Sequence, residues 1–89
     1  MPSLFKSGQN YPNPFNPSTK IQYRIPNSGY VTLKIYDVLG EEVAALVNKE
    51  QAPGTYEINF NASNLTSGIY FYQLKSGNNI QVKKMMLLK

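Results

Sequence analysis

The 89-residue sequence has no cysteine, no histidine and no tryptophan, and only five acidic residues. Without cysteine there are no disulfides, thiol nucleophiles or thiolate metal sites. Without histidine the usual general base and the commonest metal ligand are gone. The acids are Asp37, Glu41, Glu42, Glu50 and Glu57. A glycosidase needs two carboxylates facing each other across a cleft. Glu41 and Glu42 would point to opposite faces of a strand, and Asp37 is explained by a turn. No glycine-rich phosphate loop follows any expected strand. The chain therefore reads as a non-enzyme, with no catalytic residue, cofactor or metal expected. It also lacks an apolar run of membrane-spanning length and a charged-then-apolar leader. Met1-Pro2-Ser3 reads as an expression boundary or a truncated parent, and the signal peptide of an exported parent is expected upstream.

What remains is apolar and weakly charged: 42% hydrophobic and 16% charged residues, net charge +4. That balance fits one small globular domain rather than a disordered chain. The basic residues are dispersed apart from Lys83-Lys84. Lysines spread over exposed strand faces and edges keep a β domain unaggregated, so no nucleic-acid partner is expected.

Prolines are concentrated in one place. Asn10-Tyr11-Pro12-Asn13-Pro14-Phe15-Asn16-Pro17-Ser18-Thr19 carries three of the six prolines. Proline fixes φ and removes a backbone donor, so this stretch is neither helix nor central strand. Asn13 and Asn16 are expected to fold onto nearby backbone amides, and Tyr11 and Phe15 to act as apolar anchors. The reading is a preshaped lead-in clamped onto a domain that begins near Thr19, with residues 1–9 a linker or expression remnant and 10–89 the domain.

From Thr19 the pattern has period two, with turn residues every eight to twelve positions, which predicts an all-β sandwich. Ile21, Tyr23 and Ile25 share one face of the first full strand, and Val31, Leu33 and Ile35 one face of the second. Asp37-Val38-Leu39-Gly40 is a tight turn, with Gly40 supplying positive φ. The segment 41–48 follows, with Val43, Ala45 and Val47 on one face; helix is conceivable there, but seven residues between turns suit a hairpin strand better. Pro53-Gly54 marks the next turn, and Thr55 to Asn61 follows as a strand with Tyr56, Ile58 and Phe60 on one face. A polar connection with Leu65 as its apolar peg leads to a strand over 68–75 that is apolar on both faces. Ser76-Gly77-Asn78-Asn79 is a hairpin turn, and 80–89 closes the domain. The expected fold is an immunoglobulin-like Greek-key sandwich of about seven strands, of the constant type, with the proline-rich segment as an N-terminal extension. Leu65-x-x-Gly68-x-Tyr70 places Tyr70 where a tyrosine corner sits.

The last strand breaks the alternation. Ile80 and Val82 share a face that would also place Lys84 inward, and Met85-Met86-Leu87-Leu88 follow as one apolar run. A bulge near Lys83-Lys84 would shift the register and leave both ammonium groups in water. Among the eleven aromatics, Tyr30, Tyr36 and Phe71 lie on the opposite faces of their strands, so an exposed aromatic strip is conceivable.

Four blocks carry a family resemblance: NYPNPFNPSTKIQYRIP at 10–26, VTLKIYDVLGEEVAALV at 31–47, GTYEINFNASNLTSGIYFYQL at 54–74 and VKKMMLLK at 82–89. In this order and spacing the chain resembles the type A C-terminal sorting domains of type IX secretion, which are related to the immunoglobulin-like domain of flagellar hook-capping proteins. Pro12, Asn13, Pro14, Phe15, Asn16, Pro17, Gly40 and Leu65 carry the structural part of the likeness. The resemblance implies a non-catalytic address tag on an exported cargo whose body precedes the domain. The implied partners are the outer-membrane translocon and a sortase-like peptidase, which removes the tag as the cargo is anchored at the cell surface or released. The implied location is the periplasm in transit, then the surface or beyond. The family's recognition signal maps onto Gly68, Tyr70, Gly77, Lys83, Lys84, Met85 and Lys89. An apolar terminal strand flanked by lysines can offer backbone pairing plus charge, as in strand addition, and self-association through that strand is a further expectation. The alternatives are a structural domain of the hook-capping type and, further off, a carbohydrate-binding module.

Overall fold

The computed structural model describes residues 6–89. Its strands are β1 (Lys6–Ser7), β2 (Ser18–Ile25), β3 (Gly29–Tyr36), β4 (Glu42–Gln51), β5 (Gly54–Asn61), β6 (Gly68–Ser76) and β7 (Asn79–Leu87). They form two antiparallel sheets, ordered β1-β2-β5 and β4-β3-β6-β7. The sandwich is the expected one, with six full strands and the two-residue β1. Lys6 and Ser7, inside the stretch expected as linker or remnant, pair with Arg24 and Tyr23 of β2.

The core follows from the period-two pleat, which sends alternate side chains to one face. Ile21, Tyr23 and Ile25 of β2 meet Val31, Leu33 and Ile35 of β3 and Tyr70, Tyr72 and Leu74 of β6, all buried. Tyr23 stacks on its cross-strand partner Tyr56 with ring centroids 5.4 Å apart. Such pairs stabilise a sheet beyond the area they bury.

One part of the architecture differs from the constant-type expectation, because the fourth strand joins the second sheet beside β3. The turn explains it. The Asp37 carboxylate accepts the amides of Leu39 and Glu41, each at 2.9 Å, and the Gly40 amide donates to the Asp37 carbonyl at 3.0 Å. Gly40 sits at φ 83°, which glycine adopts without strain. A turn this tight returns β4 along β3, so the crossing to the other sheet waits for Ala52-Pro53.

Within β4 the simple alternation fails. The β3–β4 register shifts between Leu33 and Lys34 and again between Ile35 and Tyr36. The register leaves Leu46 and Val43 as extra residues on β4, and each bulge resets the pleat. Ala44 and Leu46 therefore pack against the core together with Val43 and Val47, while Ala45 is exposed. The expected Val43–Ala45–Val47 face does not exist.

The expected bulge at Lys83-Lys84 is also absent. β6 and β7 pair residue for residue from Gly68 with Leu87 to Ser76 with Asn79. A two-residue turn, Gly77-Asn78, with Gly77 at φ 59° sets that register. Met85 and Leu87 point inward and are fully buried, whereas Ile80 (52%), Val82 (55%), Met86 (37%) and Leu88 (51%) are exposed. Ile80, Val82 and Lys84 do share a face, but it is the outer one, so no charge needs to be moved out of the core.

Candidate functional site

The proline-rich segment is a strap between the two sheets. At its start, Tyr11 and Lys20 exchange both backbone hydrogen bonds at 2.9 Å. At its end, Phe15 pairs in parallel with Leu87: its amide donates to the Met86 carbonyl at 2.9 Å and its carbonyl accepts the Leu88 amide at 3.0 Å. Pro12, Pro14 and Pro17, each following a cis peptide bond, have no amide to offer, so the segment bonds at isolated points rather than as a strand. The Phe15 ring is 2% exposed and lies 6.3 Å from Phe60.

Two expectations for the strap change. Tyr11 is 78% exposed, so it anchors through its backbone and not its ring. Asn13 does not cap a nearby amide; its carbonyl oxygen accepts the amide of Met86 on β7 at 3.0 Å. Asn16 makes no side-chain hydrogen bond among the described residues. The local cap is Asn10, whose Nδ2 donates to the Pro12 carbonyl at 3.2 Å and to Thr19 Oγ1 at 3.0 Å. The Thr19 hydroxyl in turn donates to the Pro12 carbonyl at 2.8 Å.

This polar knot continues into the central strand. The Tyr72 hydroxyl donates to the Gly8 carbonyl at 2.6 Å and accepts the Asn10 amide at 3.0 Å. Burial holds the Tyr72 phenol above its ordinary value of 10.0, partly offset by the Asn10 amide. Asn10 and Thr19 are both 2% exposed, and a polar group so deep must find partners or cost stability. Sequence reasoning missed this role for Asn10, Thr19 and Tyr72; the only trace of it was a strand apolar on both faces that still carried hydroxyls.

The expected recognition residues spread along the β6–β7 hairpin rather than converging on a pocket. Gly68 opens β6 opposite Leu87, while Gly77 lies in the turn at the far end, roughly 30 Å away at the usual rise per residue. Tyr70 and Met85 are cross-strand partners, both buried. The Tyr70 hydroxyl donates to the Thr66 carbonyl at 2.8 Å, which makes it the expected corner. Leu65 packs against the core beneath that loop. Lys83 is half-buried on the side of Met85, and Lys84 is exposed on the opposite side. Lys89 ties the chain end to the β5–β6 loop, with its amide on Ser67 Oγ at 3.0 Å and its ammonium on the Ser63 carbonyl at 2.6 Å.

The outer face of the four-stranded sheet holds the aromatics singled out in the sequence. Tyr36 and Phe71 are cross-strand neighbours, and with Val82 they line a shallow depression of about 440 Å³. Tyr30, 52% exposed, stands at the other end of β3 and bonds Asn48 Oδ1 at 2.7 Å. The register therefore brings two of the three rings together and leaves the third apart.

Among the described residues no three of His, Cys, Asp and Glu come close enough to hold a metal ion. No curated protein matches the chain. A family model, that of the secretion system C-terminal sorting domain, matches residues 9–88, from the head of the strap through β7, and the chain belongs to that family.

Proposed function

We propose that this domain is the address tag of a type IX secretion cargo, read by the outer-membrane translocon and then cut off. Sorting domains of this family mark proteins exported across the outer membrane to the cell surface or the medium. The observation that carries the proposal is the family match, which takes in both the strap and the terminal strand. The cargo precedes the domain, a sortase-like peptidase cleaves upstream of Gln9, and the tag does no chemistry of its own. Among the candidate residues, Lys84 is exposed and available for contact, Lys89 is exposed with its ammonium held on the Ser63 carbonyl, and Tyr70 and Met85 contribute by holding the hairpin in shape.

The test is export of a periplasmic reporter fused to this domain in a bacterium with a type IX system. Surface display with loss of the tag is the expected result. An intact, folded fusion retained in the periplasm would defeat the reading.

A further inference from the structure

The edge of β7, which strand addition would use, is already occupied over its last residues. The Lys84 carbonyl accepts Gln9 Nε2 at 3.0 Å, and the Met86 amide donates to Asn13 Oδ1 at 3.0 Å. Phe15 takes the Met86 carbonyl and the Leu88 amide. A receptor strand pairing here would first have to strip off these bonds and pull a fully buried phenylalanine into water. In a domain this small that is a large share of the stability.

The outer side-chain face of the same strand is open. Alternation places Ile80, Val82, Lys84 and Met86 on it, and Leu88 continues it just past the strand's end; all are exposed. Single exposed apolar residues are ordinary, but four on one face of an edge strand form a patch. Across the ladder the patch continues through Ile69 and Phe71, the partners of Met86 and Lys84. The charge on it is of one sign. Among the described residues the ion pairs are Lys20–Glu57 and Lys34–Glu42, so Lys84 and Lys75, the partner of Ile80, carry no acid.

We propose that the translocon reads the outer side-chain face of β7 and not its backbone edge, with an apolar receptor surface that places carboxylates opposite Lys75 and Lys84. The strap serves as a fixed edge guard, which keeps the terminal strand from pairing with other strands while its face stays legible. This rests on the sorting reading above.

The reporter fusion tests both separately. With the unaltered fusion exported, Val82→Thr with Leu88→Thr, which keeps strand propensity, should lower export by about tenfold, and Lys84→Glu should do the same. Arg24→Glu makes the same charge change on the other sheet and should leave export within about twofold. Thermal melts of each 89-residue variant establish that folding is intact. Wild-type export by the folded Val82/Leu88 and Lys84 variants would overturn the face reading alone. So would a rise in export with Asn13→Ala, which frees the Met86 amide at the edge. Retention of the unaltered fusion would instead overturn the sorting reading, and this inference with it.

Discussion

The hydroxyl of Tyr72, in the middle of the second sheet, donates to the carbonyl of Gly8 at 2.6 Å, at the entry of the chain into the first. One side chain thereby fixes where the strap begins, across 64 positions of sequence. Removing the hydroxyl orphans both the Gly8 carbonyl and the Asn10 amide. Tyr72→Phe should cost about 1–3 kcal/mol, the range for buried groups left without a partner. Urea melts read this directly, and an unchanged midpoint would show that water replaces the phenol.

Alkaline stability follows from the same group and from Tyr23. Burial raises both phenols above 10.0; for Tyr23 the bond to Gln51 lowers it and nearby Tyr56 raises it further. A raised folded value means that the unfolded chain loses the proton first. The stabilisation is therefore whole below about pH 10 and is lost as pH rises through the folded values. Melts should be flat from neutral pH to about 9 and fall beyond 10, and Tyr72→Phe should fall less steeply. Equal slopes for the two proteins would remove Tyr72 from the effect.

At the corner, ring and hydroxyl are separable. Tyr70→Phe keeps the ring and removes the hydroxyl's bond to the Thr66 carbonyl, with its longer 3.5 Å contact to Thr66 Oγ1, and should cost about 1 kcal/mol. Tyr70→Ala, or replacement by glycine, also empties the space against Met85 and should cost about 3–5 kcal/mol. A cost under about 1 kcal/mol for the alanine variant would mean that the ring is not a core element.

The strap depends on Phe15. Phe15→Ala should destabilise by about 3–5 kcal/mol, as for other buried phenylalanines. Because the Phe15 and Phe60 rings lie 6.3 Å apart, the double variant with Phe60→Ala should cost less than the sum of the singles. A double-mutant cycle measures that coupling. Strict additivity would show that the strap packs without reference to Phe60.

Much of this architecture is legible in the chain itself. Alternation in Ile21-x-Tyr23-x-Ile25 and Val31-x-Leu33-x-Ile35 fixes strand identity and inward face, because a pleat has period two wherever it is regular. Asp37 with Gly40, and Gly77-Asn78, fix two hairpins through local backbone chemistry. The Leu65, Gly68 and Tyr70 spacing marks the corner, and the four blocks identify the family. Tertiary structure decided the rest. Whether Ile80 and Val82 face in or out depends on the partner strand, since alternation gives the period but not the phase. The bulges that turn Ala45 outward are a property of the β3–β4 pair, and neither strand alone encodes them. The lead-in's bonds run from Asn13 and Phe15 to Met86 and Leu88, over seventy positions away. Contacts at that separation leave no local periodicity, so only the folded sandwich shows that the beginning of the domain closes the edge of its end.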